Sequence, residues 1–302
     1  MLVSVSSICH PVGMGKNRGI LLAVLFVALL GGLVWVLSRP AEPAYQGKPL
    51  RAWLNEIDVD AYPADTNQAA FVAFREMGSN AIPALLKIIE SRDPPFQRLM
   101  GQLNRMQSLV QFPVREEWPQ RAAAPLALYA MGAKAKPAFQ ALTNMLLHSS
   151  TVGLGAIPLA GMGSEGLPPL FAALTNQDAF ARQLAVIALS WERSDLNLVV
   201  PSLIARLSDQ NWSVHHAAVR VLGDLHAEPG LAVPALMRDF AGNDRLLRIQ
   251  TLIAIRQFQT NASMAVPMLL EALSDSDEAV RGVAASALKQ IDPAAAAKAG
   301  VK

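Results

Sequence analysis

An all-α fold is predicted for this chain: a right-handed solenoid of stacked helix pairs, preceded by a single N-terminal transmembrane helix. Three observations carry the prediction. Apolar residues make up 52% of the 302 residues, yet aromatics supply only 6%. Alanine and leucine therefore provide the hydrophobicity, a mix that favours packed helices over a sheet. A run of 19 uncharged residues, "GILLAVLFVALLGGLVWVL", occupies 19–37. Finally, Pro168, Pro201, Pro234 and Pro267 recur every 33 residues, and a fixed period of that size marks a repeat architecture. The predicted order is a tail (1–18), a membrane anchor (19–37), a linker and N-terminal cap (38–64), a solenoid (65–292) and a frayed tail (293–302).

The anchor follows from length. At about 1.5 Å per helical residue the run nearly matches a hydrocarbon core of roughly 30 Å. Lys16 and Arg18 precede it, Arg39 and Pro40 follow, and Trp35 sits where an interfacial aromatic belongs. The short cationic head places the N-terminus inside and the body outside the cytoplasm, in a single-pass cell-membrane protein. The alternative is a cleaved signal peptide and a periplasmic body, with Ser38 after Val36 as a small-residue cleavage site.

Charge narrows the partners. Three of the 26 basic residues (Lys16, Arg18, Arg39) and one of the 24 acidic residues (Glu42) precede residue 45, which leaves the body neutral. A neutral body without a basic run gives no footprint for nucleic acid, so none is expected as a partner. Cys9 is the single cysteine, which excludes an intrachain disulfide.

The solenoid is read from columns. Around the four prolines stand "LPPLFAALTNQD", "VPSLIARLSDQN", "VPALMRDFAGND" and "VPMLLEALSDSD". Leu170, Leu203, Leu236 and Leu269 align, as do Leu189, Leu222, Ile255 and Leu288. A small-residue column of Ala188, Val221, Ala254 and Ala287 lies beside the second set. Each first helix is expected after Asp178, Asn211, Asp244 or Asp277, all N-cap residues. Each second helix is expected after Asn197, Gly230 or Ser263, with its proline near the first turn. Less regular units occupy 68–93, 121–150 and 151–178, and an extra or extended helix is expected within 94–120.

Four features recur through these units. They are an alanine-rich first helix, a Met-Gly turn (Met77-Gly78, Met131-Gly132, Met162-Gly163), a proline-led second helix, and an acid followed four residues later by arginine at the junctions. The pattern resembles the HEAT-repeat family, including the HEAT-like repeats of phycobilisome lyases. The opening "YQGKPLRAWL" with "MGSNAIPALL" resembles membrane-anchored bacterial HEAT proteins of planctomycetes and verrucomicrobia. The resemblance implies first helices on the outer wall, second helices on the inner one, and a ladder of Asp and Arg tying adjacent turns.

The ladder column comprises Asp178 with Arg182, Asn211 with His215, Asp244 with Arg248, and Asp277 with Arg281. An acid at i and a cation at i+4 support a helix. His215 takes an arginine's place and is expected to form a neutral polar pair with Asn211. Neighbouring His216 and His226 complete a cluster, but adjacent histidines lie about 100° apart on a helix and do not face one ion. No His-Glu dipeptide, phosphate loop or G-x-S-x-G elbow occurs. No catalytic, cofactor or metal residue is therefore expected. Trp212 opens a helix in a column expected to be exposed; it either packs on the neighbouring turn or serves as a partner contact. The expected function is a non-enzymatic, membrane-tethered scaffold for a protein or peptide. A lyase-like or ligand-binding accessory of the phycobilisome-lyase type is the alternative.

Overall fold

The computed structural model describes residues 26, 42–59, 68–91, 118–148, 154–191, 195–241 and 245–301. The chain divides into two units, Met1–Glu42 and Pro43–Lys302, and every element below belongs to the second. The expected anchor at 19–37 and the extra helix expected within 94–120 lie outside the described residues, apart from Phe26 and Trp118–Gln120. Among the described residues no helix is long and apolar enough to cross a membrane.

The body opens on something the composition did not announce, a two-stranded hairpin. Strands β1 (Ala44–Tyr45) and β2 (Lys48–Pro49) pair antiparallel across Gln46 and Gly47. Both turn residues have positive φ, 50° and 74°, as a tight hairpin turn requires. The short helix α1 (Leu50–Leu54) follows directly. Its Trp53 is buried, donates from Nε1 to the Tyr45 carbonyl at 3.3 Å, and carries the Lys48 ammonium 3.8 Å from its ring centre. The hairpin and α1 close the first end of the core.

Helix pairs then follow. The first helices are α2 (Ala69–Met77), α4 (Trp118–Met131), α6 (Ala156–Gly161), α8 (Ala179–Leu189), α10 (Trp212–Leu225), α12 (Arg245–Gln257) and α14 (Glu278–Ile291). The second helices are α3 (Ile82–Glu90), α5 (Phe139–His148), α7 (Leu167–Ala173), α9 (Leu196–Ile204), α11 (Pro229–Phe240) and α13 (Val266–Ala272). Each first helix packs on the next, from α2 through to α14, and each second helix packs on its own first helix or the following one. This one-dimensional stacking is an α-solenoid. Its core is the set of columns read from the sequence: Leu170, Leu203, Leu236 and Leu269 are fully buried, as are Leu189, Leu222, Ile255 and Leu288 within 1%. No single pair encloses these side chains; the neighbour supplies the second wall.

Helix ends obey local chemistry. Asp178, Asn211 and Asp277 cap α8, α10 and α14 by accepting backbone N–H groups of the first turn, while Asp244 lies outside the described residues. Gly78, Gly132 and Gly163, the glycines of the Met-Gly turns, have φ of 57°, 55° and 62°, the left-handed form that ends a helix most cheaply with glycine. Later units put His226 (φ 36°) and Gln259 (φ 51°) at the matching helix ends.

The second-helix starts correct the expectation. Gly78, Gly132 and Gly163 each stand five residues before a proline, whereas His226 and Gln259 stand eight before Pro234 and Pro267. The longer connection winds into helix or 3₁₀ helix instead of loop. Consequently α9 starts at Leu196 and α11 at Pro229, and Pro201 and Pro234 fall inside their helices rather than in the first turn. A 3₁₀ segment, Gln259–Ala265, leads into α13. The end of the chain differs too. Residues 293–302 do not form a frayed tail: α15 (Pro293–Lys298) is capped by the Asp292 carboxylate, packs on α14 and buries Ala296. Asp292-Pro293 is a cap followed by a proline at the first helical position, a strong helix start.

Candidate interaction surface

Two sets of side chains stand out from the core: the polar rungs at the repeat junctions and an exposed apolar column on the second helices. The rungs are built first from the loops. In "NQD", "DQN" and "DSD", the residue two places before each N-cap folds its side chain back onto the backbone. Asn176 accepts from the Asp178 N–H, Asp209 from the Asn211 N–H, and Asp275 from the Asp277 N–H, at 2.8–2.9 Å. Each loop thus presents an oxygen at a fixed place to the preceding repeat.

Arg182 uses that oxygen. Its Nε and Nη2 donate to both carboxylate oxygens of Asp209 at 2.8 Å, and its Nη1 donates to the Asn176 and Gln177 carbonyls at 2.8 and 3.1 Å. One guanidinium thereby ties its own loop to the next one. The Arg182 fork holds Asp209 below the usual carboxylate range against the opposing effect of burial, and Asp209 raises Arg182 in return. Arg248 repeats the arrangement with Asp275 at 2.6 Å. Arg281 donates to the Asp275 and Ser276 carbonyls of its own loop at 2.7 and 3.0 Å.

The i, i+4 pairing expected within each helix is therefore not what forms. Asp178 gives its carboxylate to the Phe180 N–H, which leaves Arg182 free to reach across the junction. Asp277 likewise caps Ala279 and Val280, and it also receives Arg245 from the preceding repeat. The Arg245 hydrogen bond is the main cause of its lowered pKa.

His215 departs further. The expected neutral pair with Asn211 does not form, because the Asn211 side chain accepts from the Ser213 and Val214 N–H groups. The carboxylate column of Asp209 and Asp275 holds Gly242 at this junction. The His215 Nε2 turns instead to Asp239 at 2.7 Å, three residues earlier at the end of α11. The second Asp239 oxygen accepts from Thr251 Oγ1 at 3.1 Å, and Thr251 is fully buried in α12. The rung is moved, not lost. Of its neighbours, His216 stacks on Trp212, with ring centres 4.7 Å apart and planes at 18°. His226 closes α10 in the left-handed form. Among the described residues no three metal-ligating side chains gather. Trp212 is 45% exposed and stacks within its own helix, so it does not pack on the neighbouring turn.

The sequence reading passed over the second set. Leu198, Leu231 and Met264 are spaced 33 residues apart and are 52%, 51% and 45% exposed. They stand on consecutive units of the second-helix layer, α9, α11 and the 3₁₀ segment before α13, which are in contact. Leu231 and Met264 line one open groove with Gly230, Pro234, Met237 and Arg238. The signal was present in the spacing, but attention to buried columns hid it.

Comparison with known proteins adds a family. A family model described as the HEAT repeat matches residues 199–227 and 265–294, which span α9 with α10 and α13 with α14. These two segments are HEAT repeats. The first contains the Asp209 loop and His215, and the second the Asp275 loop and Arg281. The neighbouring HEAT-like pairs share their columns and stacking. No curated protein matches the chain. One solved structure, an engineered protein from the Northeast Structural Genomics Consortium, covers 83% of this chain and 77% of its own at 18% identity and a TM-score of 0.39.

Proposed function

We propose that the chain is a membrane-tethered HEAT-repeat scaffold, non-enzymatic, that binds a protein or peptide partner through the solenoid surface with its body outside the cytoplasm. The observation that carries the reading is the exposed column of Leu198, Leu231 and Met264. Scattered surface leucines need no explanation, but apolar side chains exposed at the same place in consecutive repeats form a continuous strip. HEAT repeats commonly mediate protein interactions, and stacked repeats expose extended surfaces of this kind. The tether rests on the uncharged run at 19–37 and its flanking charges. The absence of a phosphate loop and of a nucleophile elbow from the sequence supports a binding role over a catalytic one.

Crosslinking the full-length chain in its native membrane, against a control carrying only residues 1–45, tests the scaffold. The expected result is a partner enriched over the control, and no enrichment would remove the reading. Topology reporters fused after residue 45 and at the C-terminus are expected to place both outside the cytoplasm.

A further inference from the structure

We propose that the groove beside Leu231 receives an extended peptide of the partner with an apolar side chain at every third position and a carboxylate beside one of them. This rests on the scaffold reading and specifies its partner. The argument begins with spacing. Packed helices lie about 8–10 Å apart, so Leu198, Leu231 and Met264, one per repeat, present anchors at about that interval. A polyproline-type extended chain rises about 3.1 Å per residue with three residues per turn, and brings every third side chain to the same side after about 9.3 Å. A β-strand repeats its face after two residues, about 6.6 Å, and falls out of step by the second repeat. A helix laid across the repeats presents side chains at i, i+3 and i+4, about 5–6 Å apart. The extended chain with a three-residue period is the occupant that keeps register.

Charge completes the fit. The groove lining is Gly230, Leu231, Pro234, Met237, Arg238 and Met264. Arg238 is its one charged side chain among the described residues and is exposed at the end of the apolar strip. A guanidinium beside an apolar floor complements a carboxylate next to an apolar anchor. The prolines help as well. Pro201, Pro234 and Pro267 stand one turn after each anchor, leaving a flat ring and no N–H on that surface. A peptide backbone meets an apolar floor there, and its own polar groups stay in solvent, as those of a polyproline-type chain do.

The test selects a displayed library of random 12-residue peptides on the full-length chain in detergent micelles. Selected sequences are expected to carry apolar residues at i, i+3 and i+6 with an adjacent Asp or Glu. Synthetic peptides of the consensus should bind about ten-fold more weakly to Leu231→Ser. They should lose a similar factor on Arg238→Glu and regain it when the peptide acid becomes lysine. Both positions are exposed, and circular dichroism on the variants checks that each remains folded. A consensus with a period of two or four, binding that survives both substitutions, or failure to select any sequence would overturn the proposal. If partner crosslinking persists in any of those cases, the scaffold reading stands and only the extended peptide falls. If no partner crosslinks, the scaffold falls first.

Discussion

The two helix layers divide the labour. The first helices and the junction loops that start them hold the stabilising devices: the capping acids, the rungs of Arg182, His215 and Arg248, and the close approach of α10 to α12. A Cβ on Gly223 would lie 2.7 Å from the Ala254 Cα, so the two first helices meet backbone to backbone. The second helices give their inward leucines to the core, and on their outward side they carry Leu198, Leu231 and Met264 with no structural task. What one layer spends on holding repeats together, the other leaves open. Substitutions should therefore separate cleanly into those that cost stability and those that cost binding.

The largest stability loss is expected at the Arg182 rung. Arg182→Ala leaves the nearly buried Asp209 carboxylate without its fork, at a cost of about 3 kcal/mol, read as a fall in Tm or in the denaturation midpoint. The same rung depends on acid. The folded-state pKa of Asp209 lies below its ordinary value of 3.8, so its contribution is complete above that value and is lost as pH falls through the lower, folded one. Asp209→Asn should flatten the acid limb of a stability-against-pH curve, and an unchanged limb would contradict the assignment. Gly223→Val comes next, at about 2 kcal/mol, because an added side chain separates α10 from α12. Smaller again, His215→Ala should cost about 1 kcal/mol by removing the partner of Asp239, whereas His215→Arg should preserve or raise stability. A clear loss of Tm in the arginine variant would show that Asp239 cannot serve as an arginine rung.

His226→Gly should have the opposite sign, a gain of about 0.5–1 kcal/mol, since glycine adopts the left-handed form at the end of α10 without the steric penalty histidine meets. Leu198→Ser, Leu231→Ser and Met264→Ser stand last on this scale. Each should change stability by less than about 0.5 kcal/mol, yet reduce partner binding. A large fall in Tm for any of them would erase the contrast between the layers.

How much of this was legible in the sequence depends on the kind of signal. Leu203, Leu222 and their equivalents could be read because burial repeats with the chain. Asp178, Asn211 and Asp277 could be read because capping is local. The rungs were half legible. Arg182, His215 and Arg248 were identified, but not the acceptors Asp209, Asp239 and Asp275, since a spacing of four pointed inside the helix while the true partners lie about 27 residues on. Asp239 was the hardest, because Gly242 removes the usual acceptor and the histidine finds another one turn back on the preceding helix. The hairpin at Gln46-Gly47 and α15 were missed for the same reason. Two residues of turn chemistry, and a single Asp-Pro after the last repeat, carry little weight beside a strong helical period.

Site-specific photo-crosslinking in the native membrane tests the division most directly, with a photo-reactive amino acid in place of Leu231 on the second-helix layer or of Leu246 on the first. Both side chains are about half exposed, at 51% and 53%, so exposure alone does not separate them. A discrete partner adduct from position 231 and none from 246 is the expected result. Equal adducts from both positions, or an adduct from 246 alone, would contradict the assignment of binding to the second helices.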